Sequence, residues 1–235
     1  MRYNNVLREH FDTIIYSERE WLLLEEKRNS AYKLLEIFFN EGIYPFVYGS
    51  IARGNIHEDS DIDIIFLQEI PPFQIEYILN KNGYINYFRE IIMATPSDSL
   101  KLYIYLSELE SITLPLSKLD TNGTEFYNFS GIINLNQLKS GVRVVGIDKR
   151  LVLIKPNSQG HEEISIIGNE AIFAKEFNIN INVINERKRV LLRREKYGRT
   201  GVFLKEKIQM NETTEEVLKK LASRKSIVRK KLYKR

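Results

Sequence analysis

The stretch GSIARGNIHEDSDIDIIF, residues 49–66, gathers into one short interval the residue types that do phosphate and metal chemistry. Asp61 and Asp63 are two residues apart, and on a strand that spacing puts both carboxylates on one face while Ile62 and Ile64 anchor the other. Two carboxylates held together repel unless a cation or strong hydrogen bonds offset them. Hard oxygen ligands of this kind suit Mg²⁺, with Mn²⁺ as the alternative ion, and Mg²⁺ keeps several waters while bridging phosphates. Gly49 lets the backbone approach a phosphate, and Ser50 offers an N–H and a hydroxyl where the chain turns into a helix. Arg53 adds a charge-assisted phosphate contact, and Gly54 releases the chain from the turn. A solvated acidic edge is the bland reading of Asp59, Asp61 and Asp63, but the hydrophobic residues on either side weigh against it.

These residues need elements to hold them. Arg19 to Phe39 places Leu22, Leu23, Ala31, Leu34, Leu35 and Phe38 at helical spacing, with a stop at Asn40 and Gly42. Tyr44 to Tyr48 reads as a short strand before the glycine, and Asp61 to Leu67 as a buried one. A helix over Phe73 to Leu79 and strands over Tyr84 to Met93 and Leu100 to Leu106 follow, with Pro96 and Ser97 in the turn. Further on, Asn122 and Gly123 suggest a turn, Arg150 to Ile154 a strand and Pro156 to Gly160 a loop.

In order, spacing and context these motifs resemble the DNA polymerase beta-like nucleotidyltransferase superfamily. Its signature is a hydrophobic residue, Gly, Gly or Ser, an interval of about ten residues, then Asp, hydrophobic, Asp or Glu, hydrophobic. Here Tyr48, Gly49 and Ser50 supply the first part and Asp61, Ile62, Asp63 and Ile64 the second. The resemblance covers residues 40–67 closely and 18–110 more loosely. Over most of its length the chain is also similar to an archaeal group of predicted nucleotidyltransferases with a C-terminal helix-turn-helix-like region. The resemblance implies an α+β fold with a mixed sheet and flanking helices. It also implies a nucleoside triphosphate substrate, ATP among the candidates, with Mg²⁺ as cofactor and transfer of a nucleoside monophosphate with release of pyrophosphate. Asp61 and Asp63 would then be catalytic and metal-ligating, with Gly49, Ser50 and Arg53 on the nucleotide.

The superfamily usually adds a third carboxylate from a later strand, and LKLYIYLSELES has no clear equivalent. Glu108 ranks first because it would sit beside the end of a strand; Glu110, Asp98, Glu90 and Asp148 are the alternatives. His57 in the loop, Lys101, and Tyr103 with Tyr105 as a base-stacking pair are weaker candidates, for which an exposed loop or ordinary sheet packing is the better prior. His161 reads as a loop residue, and three scattered histidines make no metal cluster.

The C-terminal part carries a different charge. Residues 181–235 hold 18 Lys or Arg against 6 Asp or Glu, whereas the whole chain is only +4. EAIFAKEFNININVINERKRVLLRRE resembles a helix-turn-helix, with Asn178 at the turn position often held by Gly, and a strand after Gly198 and Gly201 would be its wing. That reading makes Arg187, Lys188, Arg193, Arg194, Lys196 and Arg199 phosphate or groove contacts to DNA or RNA. A last helix is expected over Glu215 to Leu232. The expected division is a nucleotidyltransferase-like domain at 1–120, a mostly β region at 121–164 assigned to neither side, and a basic winged-helix-like domain at 165–235.

With 43% hydrophobic and 28% charged residues the composition is that of a folded protein. The absence of cysteine excludes disulfides, thiolate catalysis and Cys-ligated metals. The polar start and the lack of a long apolar run point to a cytoplasmic protein off the membrane. Two other functions compete with transfer to an unidentified acceptor. One is a nucleotide-sensing DNA- or RNA-binding protein with weak or no catalysis, the other a protein-docking component of a larger complex.

Overall fold

The structure, a computed structural model, describes residues 5–85 and 87–233. The chain runs β1 (Phe11–Ile15), α1 (Glu18–Phe39), β2 (Phe46–Tyr48), α2 (Ser50–Arg53), β3 (Ile62–Ile65), α3 (Pro72–Lys81), β4 (Phe88–Met93), β5 (Lys101–Tyr105) and β6 (Glu110–Pro115). It continues through α4 (Thr121–Ser130), β7 (Ile132–Asn134), α5 (Leu135–Lys139), β8 (Gly146–Ile147), β9 (Val152–Asn157), β10 (Gly160–Ser165), α6 (Glu170–Glu176), α7 (Ile181–Tyr197), β11 (Leu204–Ile208), α8 (Thr214–Arg224) and α9 (Ser226–Tyr233). Among the described residues the strands form two sheets. The larger has the order β11-β4-β5-β6-β3-β2-β7 and mixes one parallel pair, β3 with β6, into antiparallel neighbours. The smaller, β1-β10-β9-β8, is antiparallel.

Helix α1 starts where Ser17 and Glu20 form a capping box, which satisfies two otherwise orphaned backbone donors. Its apolar stripe, Leu24, Ala31, Leu34, Leu35 and Phe38, is buried on one face of the larger sheet beside Ile75, Ile78 and Leu79 of α3. Phe38 meets Phe66 edge-on, with ring centroids 5.1 Å apart. Strand β3 divides its side chains as alternation requires: Ile62 and Ile64 enter this core, and Asp63 and Ile65 lie on the opposite face. That opposite face is only partly covered. Leu119 and Tyr127, at and just before α4, pack on Ile65, with Phe46, Tyr48 and Phe126 against them.

The buried guanidinium of Arg28 ties α1 to the turn after β2. It donates to the carbonyls of Ile51 at 3.2 Å and Val142 at 2.6 Å, and burial lowers its pKa to about 10. Such a bond cannot be kept by a shorter side chain, so α1 fixes where α2 begins.

Several expectations are corrected. Asn122 and Gly123 do not make a free turn; they lie in the first turn of α4, where the Asp120 side chain accepts the Gly123 N–H at 2.7 Å. The Asp N-cap satisfies an otherwise orphaned donor of the first turn, which offsets the propensity cost of Gly123 there. The single helix expected over Glu215 to Leu232 is two, α8 and α9, divided at Lys225, whose backbone is extended. Pro156 lies within β9 instead of a loop.

The expected wing is also corrected. Strand β11 pairs antiparallel with β4, Lys207 opposite Glu90, and so extends the larger sheet. Leu204, Ile208, Val217, Leu221 and Val228 join the core beneath that sheet. Helices α6 and α7 pack elsewhere, through Phe173, Val183, Ile184 and Leu191 onto Phe129, Ile147, Leu153 and Val6. Residues 165–235 therefore do not close on a core of their own, and β7 and β1 carry contacts across the other expected boundaries as well. Asn178 does adopt the left-handed conformation allowed to Asn, at φ 51°, in the turn between α6 and α7. No helix among the described residues is long and apolar enough to cross a membrane.

Candidate active site

Strand β2 ends at Tyr48, and the chain turns through Gly49 with φ 80° and ψ −141°, a region open essentially to glycine alone. The Gly49 N–H donates to the Gly131 carbonyl at 2.9 Å, and its own carbonyl accepts the Arg53 N–H, starting α2 at Ser50. A Cβ on Gly49 would meet nothing within 4 Å, so the requirement for glycine is conformational and not spatial. Gly49→Ala is therefore expected to lower stability by about 1–3 kcal/mol and to weaken nucleotide binding as the turn relaxes. A melting curve and a nucleotide titration of the variant check this; unchanged values for both would mean that the turn is not strained.

Across the sheet from Tyr48 is Asp63, and beside Asp63 on the parallel strand is Ser111. The register continues through Tyr105 to Phe88, so Tyr48, Asp63, Ser111, Tyr105 and Phe88 form one transverse row on the partly covered face. The Ser111 hydroxyl donates to Asp63 Oδ1 at 2.7 Å. Burial pushes the Asp63 carboxyl up, and neighbouring Asp61 adds to that, against the Ser111 bond and the charge of Lys149. Asp61 lies just before β3 and is exposed. Tyr48 and Tyr127 meet edge-on at 4.9 Å, and burial raises both phenols, Tyr127 well above the ordinary tyrosine range. Lys101 reaches this group, donating to the Tyr127 hydroxyl at 3.0 Å.

The other candidates are placed differently. Arg53 is buried and faces inward, donating from Nε to Asn55 at 3.0 Å and from Nη1 to the Ser130 carbonyl, so it fastens α2 to the end of α4. Arg53 thus has a structural use in place of the expected phosphate contact. Glu108 does not join Asp61 and Asp63 in a group of three carboxylates. It is exposed in the turn between β5 and β6, at the edge of an open groove of about 590 Å³ with Tyr87, Phe88, Tyr105, Ser107 and Met210. The remaining acids are engaged as well: Glu90 with Lys205, Asp148 with Arg150, Asp98 with the Thr95 N–H, and Glu110 with the Ser107 hydroxyl. Among the described residues no three His, Cys, Asp or Glu gather as a metal-binding group. Asp61 and Asp63 nevertheless suit one Mg²⁺ completed by waters and phosphate oxygens, a coordination this ion commonly takes.

His57 is exposed, and its N–H donates to Ser60 Oγ. His161 is not in a loop but buried in β10, with Nδ1 2.6 Å from the Tyr16 hydroxyl, which itself donates to the Gly54 carbonyl at 2.9 Å. Its Nε2 faces Glu163, which also takes His10 and Arg150. Burial would raise the Glu163 carboxyl, but these bonds outweigh it and hold the group far below the usual range. The smaller sheet thereby supports the end of the Gly49–Gly54 segment. Tyr103 and Tyr105 stack, with centroids 6.2 Å apart, and Phe88 stacks on Tyr105 at 5.8 Å.

Helix α7 leans over this region and not away from it. Its first turn is fixed to α4 by the Asn180 N–H donating to Glu125, and Arg187 lies over the Phe126 ring at 5.1 Å. Lys188 is taken by an ion pair with Glu170 and is not a free groove contact; Arg187 is half-buried, and Arg193, Arg194, Lys196 and Arg199 are exposed. Ser111 was missed from the sequence although ESITLP carries the signal, with Ile112 and Leu114 alternating against Ser111 and Thr113.

Residues 33–115 match the family model described as nucleotidyltransferase domain, a segment that runs from within α1 to the end of β6 and contains both halves of the motif. The chain matches no curated protein and no solved structure.

Proposed function

We propose, from the premise of a nucleotidyltransferase domain at residues 33–115, that this chain moves a nucleoside monophosphate from a nucleoside triphosphate to an acceptor hydroxyl. The observation that carries this reading is the register that sets Tyr48, at the mouth of the Gly49–Ser50 turn, directly opposite Asp63. The acceptor oxygen forms a bond to the α-phosphorus while that phosphorus loses its bond to the bridging oxygen. Pyrophosphate leaves with the electron pair, and the acceptor proton passes to solvent. Asp61 and Asp63 would hold Mg²⁺, which when bound offsets charge on the phosphate oxygens. The turn at Gly49 would aim the Ser50 N–H and hydroxyl at those phosphates, the Gly49 N–H itself being held by the Gly131 carbonyl.

A second reading is binding of the nucleotide without efficient turnover. It is favoured by Ser111, a hydroxyl residue in the place beside Asp63. Exposed Arg193, Arg194, Lys196 and Arg199 would in that case serve DNA or RNA binding.

Parallel incubations with α-labelled and γ-labelled nucleoside triphosphates, Mg²⁺ or Mn²⁺, and a fractionated cell extract test the proposal. Label is expected on an acceptor from the α position only. Transfer from the γ position would mark a kinase instead, and nucleotide binding with no α-label transfer would favour the second reading.

A further inference from the structure

A half-buried guanidinium with no carboxylate beside it is costly to hold, since desolvation disfavours the charge and no opposite charge offsets it. Arg187 is in that position. Burial and the like charge of Arg194 lower its pKa to about 10, and among the described residues the group that favours its charge is the Tyr48 phenol, not an acid. This half-buried cation of α7 thus stands near Tyr48, the residue that precedes the Gly49–Ser50 turn.

Packing explains how it is held there. Phe126 lies under the guanidinium at 5.1 Å, Phe126 packs edge-on against Tyr127 at 5.2 Å, and Tyr127 against Tyr48 at 4.9 Å. Tyr48 is the register partner of Asp63. The aromatic group therefore connects α7 to the carboxylate face of the sheet. Arg194 follows two turns along the same face of α7, and Lys149 acts on Asp63 from the loop after β8.

We infer that Arg187 binds the triphosphate of the nucleotide seated at Asp61 and Asp63, with Lys149 and Arg194 adding positive charge. The assignment rests on the functional reading above. It moves the phosphate-binding arginine from α2 to a helix outside residues 33–115. Guanidinium geometry suits paired phosphate oxygens, and the site presents the charge partly desolvated over the Phe126 ring, which strengthens a charge-assisted bond. An anion arriving there supplies the partner that the folded chain lacks.

Binding of ATP, ADP and AMP to the intact chain with Mg²⁺, measured by calorimetry alongside Arg187→Ala, Arg187→Lys and Lys219→Ala, tests the inference. Arg187→Ala is expected to weaken ATP binding by about 10- to 100-fold while changing AMP binding little, the size expected for hydrogen bonds to a charged group. Arg187→Lys should recover part of the loss, and substitution of the exposed α8 lysine, Lys219→Ala, should leave ATP affinity unchanged. Melting temperature should hold or rise in Arg187→Ala, because a half-buried charge with no carboxylate partner is removed. Equal loss for ATP and AMP, or a clear fall in melting temperature, would assign Arg187 a structural role and overturn the inference. So would undiminished ATP affinity accompanied by weaker binding of a single-stranded 20-nucleotide probe, which would assign the cation to a polymer. If the unaltered chain binds none of the three nucleotides, it is the functional reading that fails first.

Discussion

Asp61→Asn with Asp63→Asn should reduce nucleotidyl transfer by at least about 10³-fold, the equivalent of several kcal/mol of transition-state stabilisation. The substitution keeps shape and hydrogen-bonding capacity, and the Ser111 hydroxyl can still donate to an amide oxygen at position 63. Asp63 has its carboxyl pushed up mainly by burial, so a neutral amide there relieves a desolvated charge. The double variant should accordingly melt at or above the temperature of the unaltered chain. Millimolar Mg²⁺ should raise the melting temperature of the unaltered chain and not that of the variant, since an ion bound only by the folded state stabilises it by mass action. Retained transfer in a variant with this thermal behaviour would remove both aspartates from the chemistry.

A chain ending at residue 198 should fail to reach the native state. It loses β11 from the edge of the larger sheet together with α8 and α9, and with them Leu204, Ile208, Val217, Leu221 and Val228 of the main core. Each such apolar side chain contributes about 1.5–3 kcal/mol on burial, so the loss is of the order of the whole stability of a typical domain, about 5–15 kcal/mol. Arg89 would also lose its acceptors at the Gln209 and Glu212 carbonyls and the Thr214 hydroxyl, leaving the buried guanidinium with its ion pair to Glu76. Soluble yield and a circular dichroism melt of the 1–198 chain decide the matter. A cooperative transition within a few degrees of the full chain would show that the C-terminal elements are an appendage after all.

What the sequence made legible was local. The α1 stripe, the glycine turn and the alternation of Asp61, Ile62, Asp63 and Ile64 depend on residues within a few positions of one another, and each is present in the structure. What it hid were pairings between distant segments. Nothing in LKEKI distinguishes a wing from an edge strand of the larger sheet, because both need only the same short alternation. Strand β1 was hidden for the same reason, its exposed FDTII being a strand only because β10 lies beside it. Arg53 misled because a charged residue in a glycine turn suggests a ligand, and only the fold shows the Ser130 carbonyl waiting for it. Ser111 and Arg187 gain their meaning from neighbours 48 positions away in one case and from a separate helix in the other.

The pairing of β11 with β4 also sets a timetable for synthesis. Met93 faces Leu204, and a ribosome adding about 5–20 residues per second needs on the order of 5–20 s to make the chain between them. Throughout that interval the β4 edge has no partner, and the apolar underside later covered by α8 lies open. Phe11 likewise waits for Ile164. Strands β1 and β11 thus both find their partners late, which raises contact order and slows folding.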